Sequence, residues 1–459
     1  MRYPYRLQTL LLSVAPVVLA MVTAVAVVRG GTILLAVSAL AAASIAIVWL
    51  TLRPQDLFLV WLAAAPFVQS TLHGSGGGHA LRVLAYSAPP LLFVLWTIVH
   101  ARSARPTLVD ILPALYFVVV VISASLSPTS TSPTQLYSIV GVGIVVYYFC
   151  AFTSFADDVP VKIAAVLLAA GCVVATWVIV ERATGIGASA SRYQLDIAAS
   201  AERAAGTFGN PAVFGTFLGA VFALALTILV WNGPARLRRL SMLVLIVTAP
   251  ALFLTLTRAP LIAAASVGLL VLVTRSRTRW ISMLSIGLAV TVAVVAWGAI
   301  SSTHLYKTRF SNTTNVQARV VIDDWSLKLA AKKPALGWGY GSFDRVKNAS
   351  NFSAGPLNRA NLLQYTSHNT FLTILVETGA LGLGLLIAPW LVIARRSLHA
   401  AIRGGPDQWI LVGLLAILGV WIVNAGTFDM RFFSFVAALP WLAVGLMRRL
   451  DLDRQTTPA

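Results

Sequence analysis

Apolar runs of helix length, parted by short polar turns, fill most of the chain. A window of about 19 residues places about fourteen membrane spans, near 9–28, 32–52, 56–72, 83–100, 108–126, 136–155, 161–180, 211–231, 240–257, 259–274, 280–300, 368–394, 409–427 and 432–447. The runs are continuous and rich in Leu, Val and Ala, not ten-residue alternating segments, so they read as helices and not barrel strands. The expected fold class is all-α, a polytopic membrane protein of about 12–14 transmembrane helices forming one membrane domain over 1–459. The run after MRYPYR is long and a second span follows directly, so it reads as an uncleaved first span, not a signal peptide. Two polar stretches break the pattern, about 182–210 and 301–367. A loop as long as the second is uncommon unless it is functional.

Orientation follows from the arginines. With the N-terminus in the cytoplasm, the cytoplasmic connections hold Arg102, Arg105, the RLRR of 236–239, the RSRTR of 275–279, Arg395, Arg396, Arg403, Arg448 and Arg449. That distribution satisfies the positive-inside rule, puts both termini inside and turns both polar stretches to the outside.

Composition narrows the class further. The chain is 58% hydrophobic and 11% charged, which excludes a soluble globular or a disordered protein. The net charge of +19 would suggest nucleic acid in a soluble chain, but about half of the basic residues are topology signals here, and no nucleic-acid partner is expected. The 301–367 loop differs. Lys307, Arg309, Arg319, Lys328, Lys332, Lys333, Arg345, Lys347 and Arg359 outnumber Asp323, Asp324 and Asp344 by six. A positive outer surface beside the headgroups suits an anionic partner, either membrane lipid or a phosphorylated substrate. Cys150 and Cys172 lie in apolar runs and offer neither a disulfide framework nor a thiolate metal site.

Charges placed in or beside spans are costly, so each is a functional candidate. Arg258 sits in LTLTRAPLIAA, where two helices meet and Pro260 lies just inside the second. Glu181 and Arg182 end a span, Asp429 and Arg431 join the last two, and Glu377 lies within SHNTFLTILVETGALGLGLL, residues 367–386. All map to the outer half of the membrane, as either a reaction site or a set of interhelical ion pairs would require. His368 and Glu377 are nine residues apart, which at about 100° per residue sets them on opposite sides of a helix. Glu377 instead shares a face with Thr370 and Thr373, which points to an anchor on a neighbouring Arg or polar backbone. His368, expected in the first helical turn, could accept a proton from a substrate hydroxyl as a neutral imidazole. Arg203 precedes a Gly-rich turn in ERAAGTFGNPAVFGTFLGA, and Arg319, Trp325 and Lys328 lie on an amphipathic segment ending at Pro334. The GWGYGSF that follows is a turn whose Trp338 and Tyr340 could lie at the membrane interface or stack on a sugar.

Taken in order, the Arg203 turn, TRAP, Arg319 with Trp325 and GWGYGSF, and then SHNTFLTILVETGALGL resemble the O-antigen ligase and polymerase superfamily of bacterial membrane glycosyltransferases, over about 200–390. The resemblance implies a GT-C-type helical fold and transfer of a glycan from undecaprenyl pyrophosphate to a hydroxyl of a glycan, lipid or protein acceptor, outside the inner membrane. It implies no cofactor, no metal and no nucleotide sugar. Residue by residue, it assigns pyrophosphate binding to Arg258 and Arg319, with Arg203 a further contact, and the general base to His368. Glu377, Asn369, Trp338 and Tyr340 would support the site. Thr257 and Pro260 stand where members often carry Ser and Gly. The alternative is a secondary transporter or flippase of lipid-linked glycans, but that class calls for internal repeats and midplane sites, and the chain shows no convincing repeat. GSGGGH at 74–79 lacks the lysine and hydroxyl of a phosphate loop, and no HExxH motif is present.

Overall fold

The computed structural model describes residues 54–71, 90, 93–94, 97–98, 106–131, 133–156, 158–184, 203–274, 314–353, 355, 357–364 and 367–456. The spans expected near 9–28, 32–52 and 280–300, most of the one near 83–100, Arg102, Arg105 and the RSRTR segment lie outside these residues.

Among the described residues the regular structure is helical, in keeping with an all-α membrane protein. The membrane part comprises α1 (Pro54–Thr71), α2 (Leu108–Ser125), α3 (Val142–Phe152), α4 (Val159–Thr184), α5 (Pro211–Val230), α6 (Ala235–Leu254) and α7 (Arg258–Val273). The loop region supplies α8 (Thr314–Lys332), α9 (Phe343–Ala349) and α10 (Arg359–Gln364), and α11 (Thr370–Arg403), α12 (Gln408–Ala425) and α13 (Ser434–Thr456) complete the bundle. A short helix, Pro133–Leu136, and a π-helical turn, Tyr137–Gly141, lead into α3. Six of these helices, α2, α4, α5, α6, α11 and α12, are long and apolar enough to cross a membrane.

Burial on α2 is inverted relative to a soluble helix. Leu108, Ile111, Leu115, Val118 and Ile122 are exposed along one face, while Asp110, Tyr116 and Ser123 are buried on the other. Such a helix gains by turning its apolar face to lipid and its polar groups to protein. The core consists of Leu, Val, Phe and Trp side chains from the helices of the bundle, with α5 buried along nearly its whole length.

Glycine contacts fix the relative directions of the helices. Gly215 lies against the Pro260 ring and Gly219 faces Ala264, so α5 and α7 run parallel with their N-termini together. Gly413 faces Leu224 and Gly219 faces Val420, so α12 runs antiparallel to α5 and ends near α5's start. Thr370 Oγ1 donates to Phe428 O (2.9 Å), and Met430 N donates to Thr370 Oγ1 (3.0 Å), which ties the start of α11 to the same end. Ala204 N donates to Leu254 O (3.0 Å), adding the end of α6 and the segment after residue 202. The N-termini of α5, α7 and α11 and the C-termini of α6 and α12 therefore share one end of the bundle.

At the other end the structure departs from the sequence reading. Arg448 and Arg449, read from the sequence as topology signals of a terminal segment, are buried within α13, which continues past them to Thr456. Arg448 pairs with Asp110 through Nε (2.8 Å) and Nη2 (2.7 Å), and Tyr147 donates to the same carboxylate (2.8 Å). Arg449 donates to Thr153 O (2.7 Å) and lies over the Phe155 ring. A guanidinium that cannot lose its proton must find acceptors when buried, and Asp110, far away in sequence, supplies them.

Candidate active site

The shared end gathers the costly residues. Arg203 reaches the turn before α7, its Nε donating to Thr255 O (3.2 Å) and its Nη2 to Thr257 Oγ1 (2.5 Å). Thr257 is the N-cap residue of α7 and Arg258 its first residue, so two arginines 55 positions apart in the chain meet at one helix start. Helix N-termini present unpaired N–H groups and a partial positive charge, which adds to what the arginines offer an anion. Leu256 adopts φ 46° to make the turn. Arg203, Arg258 and Arg319 are each half-buried.

His368 precedes α11, where it was expected within the first turn. Asn369 is the N-cap, its side chain accepting from Phe371 N and Leu372 N (3.1 Å each), so the histidine stands at the mouth of the helix. Its ring lies against Phe428 at 5.8 Å. Burial lowers its pKa most, Arg319 lowers it further, Asp429 opposes this and Lys347 adds to it, leaving the group at about 4. The imidazole is thus neutral at physiological pH, with Arg319 and Lys347 within its electrostatic surroundings.

Glu377 lies in a three-residue ion cluster. Arg431 Nη1 donates to Glu377 Oε2 (2.5 Å), and Arg431 Nε and Nη2 donate to Asp429 (2.9 and 2.8 Å). Glu377 Oε1 also accepts from Phe343 N (3.2 Å), at the start of α9. The three side chains are 1%, 7% and 7% exposed for Glu377, Asp429 and Arg431. The sequence marked each of them separately as costly, but only the fold shows that they are one group.

The GWGYGSF turn docks on a break in α11. Gly379 has φ 68° and ψ −172°, which interrupts the helical hydrogen bonding. The loop takes over the freed groups. Trp338 N donates to Val376 O and Gly339 N to Glu377 O (2.9 Å each), while Ala380 N donates to Pro334 O (2.7 Å). A Cβ on Gly379 would lie 2.2 Å from Ala335 O, so backbone approach and positive φ both require glycine here. Tyr340 is buried beneath Arg431, and Trp338 donates to Leu329 O (2.8 Å) with Lys333 over its ring. Both aromatics pack at this seam, Tyr340 buried and Trp338 half-buried.

The loop's positive charge is partly consumed internally. Trp325 is fully buried, donating to Ser353 O (2.9 Å), and Arg359 lies over its ring while donating to Ser350 O and Phe352 O. Lys332 lies over Phe352, and Lys328 pairs with Asp324 (2.6 Å). Lys347, counted among the surface cations, is buried and bonds Asp344 and Leu363 O (3.2 Å each). Burial raises the Asp323 pKa, and Arg319 opposes that rise. Among the described residues no group of His, Cys, Asp and Glu has the arrangement of a metal site.

The chain is a multi-pass, all-α membrane protein whose candidate site residues lie at one end of the bundle and in the loop helices, with the buried Asp110–Arg448 pair at the other end. Residues 243–387 match the O-antigen ligase family model, a segment containing Arg258, Arg319, His368 and Glu377 but not Arg203. The matched segment is about a third of the chain, and over it the protein is similar to the O-antigen ligases. The comparison with curated proteins gave no match.

Proposed function

We propose that the protein moves a glycan from an undecaprenyl-pyrophosphate carrier to an acceptor hydroxyl at the outer face of the bacterial inner membrane. The observation that carries this reading is the meeting of Arg203 and Arg258 at one helix N-terminus, at the end of the bundle where α11 presents His368. Arg258, Arg319 and Arg203 hold the pyrophosphate by charge-assisted contacts and stabilise the charge that grows on it as the glycosidic bond breaks. Fixed guanidinium charges can do there what a divalent metal does elsewhere, so the reaction runs without one. His368 removes the acceptor hydroxyl's proton. The acceptor oxygen bonds to the anomeric carbon from the side opposite the leaving group, and the electron pair of the broken bond passes to the pyrophosphate. The sugar configuration inverts.

The core of this activity is assigned to about 200–390, and 301–367 acts as its extracytoplasmic loop domain. The test is the chain length of the lipid-linked glycan that accumulates when His368→Ala replaces the native protein in its host. Full-length polymer on the carrier assigns a ligase or a protein-directed transferase, and single repeat units assign a polymerase. Unchanged surface glycan and carrier pools overturn the assignment of His368.

A further inference from the structure

Two buried carboxylates share one guanidinium beside the proposed base. Glu377 and Asp429 both pair with Arg431, and no other described cation pairs with either of them. One carboxylate per arginine would close an ion pair; a second, almost fully buried, carries a desolvation cost that a structural pairing has no need of. Backbone N–H donors soften that cost, Phe343 N to Glu377 and Arg431 N to Asp429 (3.2 Å each), and with both carboxylates ionised the cluster holds one negative unit.

Through Asp429 the cluster acts on His368. Asp429 directly follows Phe428, whose ring lies against the imidazole and whose carbonyl accepts from Thr370 in the first turn of α11. From the other elements packed there, Arg319 of α8 and Lys347 of α9 act on the imidazole with the opposite sign. Tyr340 packs against the cluster, its ring beneath Arg431. A base under the influence of Arg319, assigned above to the anionic donor, and of the buried Lys347 would hold a proton poorly. A reserve of negative charge in the same surroundings removes that conflict.

We propose that the Glu377–Arg431–Asp429 cluster keeps one uncompensated negative charge beside His368 as the counter-charge for the imidazolium formed during glycosyl transfer, with Asp429 as the positioning residue. When the acceptor hydroxyl gives its proton to the ring, the imidazolium and Arg431 together balance the two carboxylates. The proton arrives at a site whose neutralising charge is already in place, and no reorganisation is needed.

The inference rests on His368 being the base, yet its test needs no substrate. The chain has six histidines. With histidine-selective 13C labelling in lipid nanodiscs, and His368→Gln to assign the signal, the His368 titration is followed directly. Asp429→Asn should lower its midpoint by about one pH unit, a tenfold change in proton affinity. Glu377→Gln, which keeps its hydrogen-bonding shape, should move it the same way and serves if the Asp429 variant fails to fold. Lys347→Gln should move it up. Asp429→Asn and Glu377→Gln titrating with wild type, or moving upward, would overturn the proposal while leaving the glycan phenotype of His368→Ala to judge the base itself.

Discussion

Replacing Asp110 by leucine removes the acceptor for five hydrogen bonds, from Arg448 Nε and Nη2, Tyr147 OH, Thr107 N and Thr107 Oγ1, at 2.7–2.8 Å. Arg448 would then keep Asp451 (2.9 Å), whose carboxylate is partly exposed, and the neutral Thr107 hydroxyl (3.2 Å), while staying buried itself. Breaking a buried pair by deleting one partner costs about 3–5 kcal/mol, most of it the stranded charge. An unfolding entropy of about 2 cal/mol/K per residue over 459 residues makes each kcal/mol worth roughly 1 °C. A membrane protein that keeps its helices on unfolding gains less entropy, so the expected drop in Tm is at least about 3–5 °C. Tryptophan-fluorescence melting of the purified protein in detergent reads this. The double variant Asp110→Leu with Arg448→Met, which removes both charges and keeps the volume apolar, should return to within about 1 kcal/mol of wild type. A single variant that melts with wild type, or a double variant no better than the single, would refute the argument. Glycan transfer at permissive temperature should persist, since the pair lies at the end of the bundle away from His368.

Gly379→Ala should abolish folded protein, because its Cβ would meet the Ala335 carbonyl at 2.2 Å and its φ of 68° is unfavourable for alanine; size-exclusion chromatography reads the outcome. Thr257→Val deletes the hydroxyl that receives Arg203 and should raise the apparent donor KM roughly threefold to tenfold, the weight of one charge-assisted hydrogen bond, with kcat less affected. His368 is held near pH 4 against an ordinary 6.5, so the unfolded chain binds its proton first as pH falls. This histidine's contribution is therefore complete above pH 6.5 and is lost on the way down to about 4, and His368→Gln should flatten that part of the stability–pH curve in acid melting experiments. Chelation of divalent metal should leave transfer by purified enzyme unchanged.

The spans and the candidate residues could be read from the chain for one physical reason: charge in or near an apolar run is expensive enough to stand out. Arg258, Glu377, Asp429 and Arg431 were all visible in that way. Their grouping was not, because Glu377 and Arg431 are 54 residues apart and meet only through the return of α11 and α12. Arg448 and Arg449 looked like topology signals because an arginine at a span's end has that meaning by default; its buried partner Asp110 is 338 residues away. Lys347 gave no signal of burial, since a lysine in a polar loop is normally solvated. Trp338 and Tyr340 were read as aromatics for the membrane interface or for stacking on a sugar; the seam at Gly379, which buries Tyr340 and half-buries Trp338, is not visible in composition.

That seam also constrains motion. The 334–339 segment has replaced part of α11's own hydrogen-bond ladder, so lifting it would leave carbonyls and amides bare beside a membrane helix, at several kcal/mol for each group that water cannot reach. The loop domain is fastened where a lid would need a hinge. Any opening at this end of the bundle must therefore run along another boundary, with Arg319's helix and the broken helix that follows His368 travelling as one piece.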